Sequence, residues 1–391
     1  MKILIISFYY EPDLCAGSFR ATSFVNALKR LLSADDAIDV VTTMPNRYSS
    51  FSVDASELES RDNLLIRRIK IPLHKSGFFD QAKSFLVYLI KTLKYVRGEK
   101  YDIVFATSSR LFSAFLGAVI AKQKQIPLYL DIRDIFTDTL ESVLKDSKLK
   151  SVIPLFMMIE KFTMRSAYNI NFVSQGFIPY FQDRYGHGLK YSFYPNGIDE
   201  EFINFNCNHS VVKDKSKIRF TYTGNIGEGQ GLEKIVPHIA RKYANIEFFI
   251  IGDGGRRKSL QDSTANLENV KLIDPVNRID LIKYYESSDF LFLQLNDYDA
   301  FKKVLPSKIF EYAATYKPII AGVDGYAKEF LETHLPDSII YKPCDILDFC
   351  KKYDNYGGIV DIDNRRKFIN KYSRESIMNA MSQDFLKVLK R

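Results

Sequence analysis

Residues 305–325 read LPSKIFEYAATYKPIIAGVDG, a helix start carrying anion-binding groups that runs directly into a short apolar strand. Pro306 suits a first helical turn, where its missing N–H costs nothing, and Ser307 beside it can cap free backbone donors or turn its hydroxyl to a ligand. The start of a helix also carries partial positive charge. Ser307 and Glu311 are four apart and Lys308 and Glu311 three apart, so hydroxyl, ammonium and carboxylate can share one rim of that helix. The ammonium suits a phosphate and the carboxylate suits sugar hydroxyls. The same residues read equally well as a capped surface helix with a Lys–Glu ion pair.

Helix-then-strand is the grammar of the whole chain. Strand-like runs at Ile3–Phe8, Ile38–Thr43, Leu65–Ile69, Ile103–Thr107, Leu128–Ile132, Ile170–Val173 and Tyr191–Tyr194 alternate with longer helical patterns, which predicts an α/β domain with a parallel sheet covered on both faces. The pattern restarts at Ile218–Tyr222 and continues through Ile246–Ile251, Val270–Ile273, Phe290–Leu295, Pro318–Ala321 and Ser338–Tyr341. A second sheet of the same kind is expected. Between them lie the turn formers Pro195-Asn196-Gly197-Ile198-Asp199 and the polar stretch Asn204–Lys217, read as the interdomain linker. The expected domains are 1–198 and 199–364, followed by a charged helix over 365–391 that crosses back to the first domain.

With 391 residues and 46% hydrophobic composition, the chain exceeds the size at which one core usually keeps growing. Its net charge of +8 favours anionic partners. Nucleic acid is the weakest of these, since there is no zinc spacing, basic-leucine pattern or RNA-binding glycine-aromatic string. Cys15, Cys207, Cys344 and Cys350 form no C-x-x-C pair, which favours a reducing cytoplasm over a disulfide framework or a zinc knuckle. The opening MKILIISFYYEPD has too short an apolar run for a signal peptide, and no run approaches a membrane span. His74, His187, His209, His238 and His334 make no plausible metal-binding cluster.

In doubly wound domains ligands sit beyond the carboxyl ends of the strands. After the first strand, Gly17 precedes a helix carrying Arg20, but the G-x-G-x-x-G of a dinucleotide fold is missing. After the fifth comes Asp131-Ile132-Arg133-Asp134, which reads either as a substrate-facing cluster or as an internal Asp–Arg pair capping the next helix. In the second half, Thr223-Gly224-Asn225-Ile226-Gly227 and Ile251-Gly252-Asp253-Gly254-Gly255 each follow an apolar strand, and their glycines leave backbone amides open to a phosphate or a base. Each alone is also an ordinary turn.

Together, TGNIG, IGDGG, NVKLIDPVNRIDLIKYYESSDFLFLQL and LPSKIFEYAATYKPIIAG resemble, in order and spacing, the C-terminal domain of GT-B glycosyltransferases of family 4. YYEPDLCAGSFR, DIRDIFTD and YPNGID are similar to that family's N-terminal domain and hinge, especially in enzymes of O-antigen and capsule assembly. The resemblance spans essentially the whole chain and implies two doubly wound Rossmann-like domains facing a central cleft. It implies that Glu311 holds the donor's ribose hydroxyls and that Ser307 and Lys308 hold its diphosphate. Gly224 and Asn225 then lie beside the diphosphate, and Gly252, Asp253 and Gly254 near the nucleotide. Gly17 and Asp134 fall toward the transferred sugar and acceptor. The catalytic set is Lys308, Glu311 and Asp134. Two departures stand out. Lys303 occupies the position of a frequent family glutamate, with Asp297 and Asp299 nearby. Gln230-Gly231 replaces a frequent Lys-Gly, leaving Lys308 or Arg256 to supply that cation.

The resemblance further implies a retaining, metal-independent hexosyl transfer from a nucleotide sugar, UDP being favoured, to a polyprenyl-diphosphate-linked glycan, with no cofactor. Phe78–Tyr101 interleaves Phe85, Leu86, Leu89, Ile90, Leu93 and Val96 with Lys83, Lys91, Lys94, Arg97 and Lys100, a pattern suited to the anionic inner face of a plasma membrane and equally to a core-facing helix with a basic outer side. Two alternatives share the fold: a nucleotide-sugar 2-epimerase, and a nucleotide-sugar-binding scaffold without catalysis, the latter motivated by Lys303.

Overall fold

The computed structural model describes residues 1–46, 54–72, 78–108, 111–143, 151–203 and 216–389. The chain divides into two compact units, Met1–Pro195 with Glu375–Arg391, and Asn196–Arg374.

In the first unit, β1 (Lys2–Ile6), β2 (Ala37–Thr43), β3 (Leu58–Arg61), β4 (Leu64–Ile69), β5 (Ile103–Thr107), β6 (Leu128–Ile132), β7 (Asn169–Phe172) and β8 (Tyr191–Phe193) form one sheet in the order β3-β4-β2-β1-β5-β6-β7-β8. All neighbours run parallel except β3 with β4. Every residue of β5 and β6 is buried, because helices cover both faces of a parallel sheet. Burying a Val, Leu, Ile or Phe there contributes about 1.5–3 kcal/mol relative to leaving it exposed. The antiparallel edge strand β3 lies outside the expected runs, and elsewhere strand ends differ from expectation by a residue or two.

The second unit holds β9 (Ile218–Thr223), β10 (Ile246–Ile251), β11 (Val270–Ile273), β12 (Phe290–Gln294), β13 (Ile319–Gly322) and β14 (Ile339–Tyr341), ordered β11-β10-β9-β12-β13-β14 and parallel throughout. Strand order reverses beside β1, between it and β5, in the first sheet and beside β9, between it and β12, in the second. Such reversals open the crevice where open α/β sheets receive ligands.

The expected terminal helix over 365–391 is two helices, Ile362–Lys371 in the second unit and Arg374–Lys387, whose Glu375 onward belongs to the first. The first division between units falls at Pro195/Asn196, three residues before the expected boundary at 198/199. Most of the expected linker, 204–215, lies outside the described residues. The tail of the second unit is tied to its start: Ile198 N donates to Tyr372 O at 2.8 Å and Arg374 N to Ile198 O at 2.8 Å. Gly197 is required there, since a Cβ would stand 2.4 Å from Arg374 Cα. Among the described residues no helix is long and apolar enough to cross a membrane.

Candidate active site

The loop after β9 turns at Gly224, whose φ of +118° is a conformation that side-chain-bearing residues rarely adopt. A Cβ at this position would lie 2.5 Å from Lys308 Nζ. The lysine amine therefore occupies the space that the glycine leaves open, 5.3 Å from the centre of the Tyr222 ring. The loop after β10 packs against the same turn. Gly252 (φ +148°) would place a Cβ 1.8 Å from Gly224 O, and one at Gly254 would stand 2.5 Å from Ile226 O. Close approach of two backbone loops accounts for both glycines. Gly224 N donates to Ile251 O at 2.8 Å and Ile226 N to Asp253 O at 2.9 Å, while Asp253 Oδ1 accepts from Gly254 N at 2.7 Å.

Asn225 turns its side-chain amide to Gln230 Oε1, 3.0 Å away, which also accepts from Gly227 N at 3.1 Å. Gln230 thus shapes the loop where a Lys-Gly pair would put a cation. Arg256 does not fill that role freely, being paired with Glu228, which also accepts from Tyr298 OH at 2.7 Å. Lys308 is the cation set at the glycine turn.

Lys308 opens a helix that runs to Ala314, and the Ser307 side chain makes no capping hydrogen bond. Glu311, half-buried on the same helix, faces a tyrosine layer. Tyr285 OH lies 3.4 Å from Glu311 Oε2 and 2.8 Å from Thr223 Oγ1, and Thr223 N donates to Tyr312 OH at 3.2 Å. Burial raises the Glu311 carboxyl above the usual range, and Arg278 pulls it back down. Arg278 reaches Asp199 at 2.5 Å, and Arg374 holds the same carboxylate. Burial disfavours the Asp199 charge, but these two guanidiniums outweigh it and lower the pKa.

Lys303 Nζ lies 3.5 Å from Asp299 O. Asp299 pairs with Lys302 at 2.8 Å, and Asp297 is exposed on the wall of a groove of about 900 Å³ beside β14. Both aspartates act on Lys302, Asp299 directly and Asp297 through its charge. Among the described residues no group of three acidic, histidine or cysteine side chains is placed to hold a metal.

In the first unit, the Asp–Arg pair of the DIRD segment forms with a different arginine. Asp131 Oδ2 and Oδ1 accept from Arg20 Nε and NH2, each at 2.8 Å, with both side chains 2% exposed. Arg20 also reaches Pro195 O and Tyr194 O at 2.8 Å. Gly17, expected ahead of the helix, is instead buried inside it, since the helix runs Ala16–Leu31; Arg133 donates to Ala16 O at 2.8 Å, tying the start of that helix to the segment that carries Asp134. Asp134 is exposed, and desolvation by the protein around it pushes its carboxyl pKa up to about 6, against the pull of Arg133.

The second unit so gathers Gly224, Asn225, Gly252, Asp253, Gly254, Lys308 and Glu311 around the carboxyl ends of β9 and β10. Residues 208–356 match the family Glycosyl transferases group 1. No curated protein sequence matches the chain. Sucrose-phosphate synthase from Thermosynechococcus elongatus superposes over 100% of this chain and 99% of its own, with a TM-score of 0.74 at 12% identity. HepE from Anabaena, solved with UDP and glucose, covers 99% of each chain at a TM-score of 0.69 and 14% identity. WaaG, a glycosyltransferase involved in lipopolysaccharide biosynthesis, covers 98% of each at 0.65 and 13%. The chain has the GT-B glycosyltransferase fold.

Arg278, Tyr285 and Asp199 were not assigned roles from the sequence. Their signal was present in the run VNRIDLIKYYE, where Arg278 and Tyr285 stand two helical turns apart on one face, but their partner Glu311 is visible only in the fold.

Proposed function

We propose that the protein is a retaining glycosyltransferase of family 4 that moves a hexosyl group from a nucleoside diphosphate sugar, UDP being favoured, to a lipid-linked glycan at the cytoplasmic membrane face during surface polysaccharide assembly. The observation that carries this reading is the Lys308 ammonium seated in the space left by Gly224, beside the carboxyl end of β9. The occurrence of UDP and glucose in the HepE structure and the lipopolysaccharide role named for WaaG support the donor and acceptor classes.

The step to be accelerated is rupture of the bond between the anomeric carbon and the diphosphate. Charge accumulates on the leaving oxygen, so a cation fixed before the reaction lowers the barrier more than it tightens ground-state binding. Lys308 supplies that charge. Glu311 accepts from the ribose hydroxyls, oriented by Tyr285, with Arg278 opposing the upward shift that burial gives its carboxyl. The departing phosphate oxygen takes the proton of the acceptor hydroxyl as the new glycosidic bond forms on the same face of the sugar. Asp134, in the first unit, hydrogen-bonds the transferred sugar or the acceptor.

Purified protein incubated with UDP- and GDP-sugars and a polyprenyl-diphosphate glycan tests this. Transfer to the lipid is expected. Conversion of the sugar without acceptor would indicate an epimerase, and binding without turnover a scaffold; either refutes the proposal.

A further inference from the structure

The outer helices of the first unit carry an uncovered apolar surface larger than the sequence pattern indicated. On the helix Phe78–Val96, Phe85 and Val96 are buried in the core, yet Leu86 and Ile90, one turn apart, are 54% and 56% exposed. The helix Ile153–Arg165 shows the same feature more strongly: Leu155, Met158 and Phe162, at i, i+3 and i+7, are 57%, 68% and 38% exposed. Between these lies the helix Leu111–Lys124, whose half-buried Phe112, Phe115 and Val119 repeat that spacing. Ring contacts join the three helices: Phe85 stacks on Phe112 at 4.8 Å, Phe112 meets Phe156 at 5.7 Å, and Phe115 meets Phe162 at 5.7 Å. The apolar positions thus form a strip across one helical layer.

Among the described side chains of these three helices, the exposed charges are all positive. Lys83, Lys91, Lys94, Lys122, Lys161 and Arg165 are exposed. The single carboxylate on the helix Ile153–Arg165, Glu160, is 3% exposed and turns inward to Tyr185 OH at 2.6 Å and Tyr180 OH at 3.2 Å. Between residues 83 and 97 of the first helix there is no acidic residue. An apolar strip bordered by lysines, with no exposed carboxylate among its described side chains, is complementary to a surface with an apolar interior and anionic head groups. A protein partner of ordinary composition would gain from mixed charge at the rim.

We propose that this three-helix layer docks the protein on an anionic lipid bilayer, with Leu155, Met158 and Phe162 entering the acyl boundary and the lysines contacting phosphates. This deepens the membrane-side reading of the acceptor given above and extends it to the helix Ile153–Arg165. Flotation of the full chain with vesicles containing phosphatidylglycerol, against vesicles of phosphatidylcholine alone, tests it. Wild-type protein is expected to float with the anionic vesicles, and the paired change Met158→Asp with Phe162→Asp to weaken this by about tenfold or more. Lys83→Glu with Lys94→Glu should do the same and remove the dependence on ionic strength. Leu347→Asp, at an equally exposed leucine of the second unit (75% exposed), should change nothing. Circular dichroism and the unfolding midpoint establish that each variant is folded. Folded Met158→Asp/Phe162→Asp protein that floats like wild type overturns the proposal, as does a lipid-independent dimer dissolved by that change with flotation retained. Donor turnover by the same variants in detergent is read separately, so a failed transferase reading leaves the flotation result standing.

Discussion

Replacing Gly224 by alanine tests the site most directly, because the glycine and Lys308 compete for one volume. The new Cβ would stand 2.5 Å from Nζ and 2.7 Å from Cε of Lys308. These are the far atoms of a flexible side chain, so the steric part is relieved by moving the amine, which is the group proposed to stabilise the leaving diphosphate. The backbone part is not relieved, since φ is +118°, and holding a non-glycine residue there costs about 1–3 kcal/mol. Withdrawing a pre-placed charge from a leaving oxygen costs about 2.7–4 kcal/mol of barrier, or roughly 100- to 1,000-fold in kcat. Gly224→Ala should therefore lose that much kcat and lower the urea midpoint, while Lys308→Ala loses the kcat alone. The double variant is decisive. Once Lys308 is alanine there is no amine to displace, so adding Gly224→Ala should change kcat by less than about threefold while the stability loss persists. Single-turnover transfer from a radiolabelled donor reads kcat without product release. If the two losses multiply, the glycine serves the ligand directly and the account of the site is wrong.

Glu311→Ala should abolish most transfer and weaken donor binding by calorimetry without altering the circular dichroism spectrum; wild-type binding would place the nucleotide elsewhere. Arg278→Gln removes the main charge opposing the upward shift of Glu311, so the carboxyl protonates at higher pH. Donor affinity should then begin to fall at a higher pH as solutions are acidified, and a profile superimposable on wild type would exclude that coupling. In the first unit, Asp131→Asn leaves the Arg20 charge buried without a counter-ion, a loss of about 3–5 kcal/mol, measurable by denaturant titration. Burial alone would raise the Asp131 pKa, but Arg20 outweighs it and lowers it. The pair's contribution is accordingly full above the unfolded carboxyl value of about 3.9 and disappears as pH falls through the folded one. A wild-type protein whose stability is flat across that acid range would contradict the assignment.

Strands of this fold announce themselves because burial on both faces demands unbroken apolar runs, as in Ile246–Ile251 and Phe290–Gln294. The edge strand β3, LESR, carries one large apolar residue, Leu58, and that is 54% exposed. Its signal lay instead in Asp62-Asn63, the two-residue turn into β4, where Asp62 takes φ +54° as tight hairpins require. The terminal segment misleads for a related reason: helical periodicity continues through Lys371-Tyr372-Ser373-Arg374, while backbone hydrogen bonds of Tyr372 and Arg374 go to Ile198, so long-range pairing breaks the helix.

The site residues were legible as types and illegible as partners. Glycine after a strand, lysine at a helix start and carboxylate one turn later are readable because each answers a local demand. What they touch is fixed by sheet order. The loops at Gly224 and Gly252 meet because β9 and β10 are neighbours, and Lys308 reaches Gly224 because the connection from β12 to β13 begins across the reversal in strand order. Asp131, in the strand Leu128–Ile132, and Arg133, just beyond its end, sit two residues apart, which favours them as a pair on local grounds. Arg20 takes the aspartate instead, with two parallel hydrogen bonds in a site where both side chains are 2% exposed. Dry burial strengthens the ion pair and penalises any unmatched charge, so the bidentate partner delivered by the fold displaces the near one in sequence. Arg133, released from Asp131, is then the group that ties the start of the helix Ala16–Leu31 to the segment carrying Asp134.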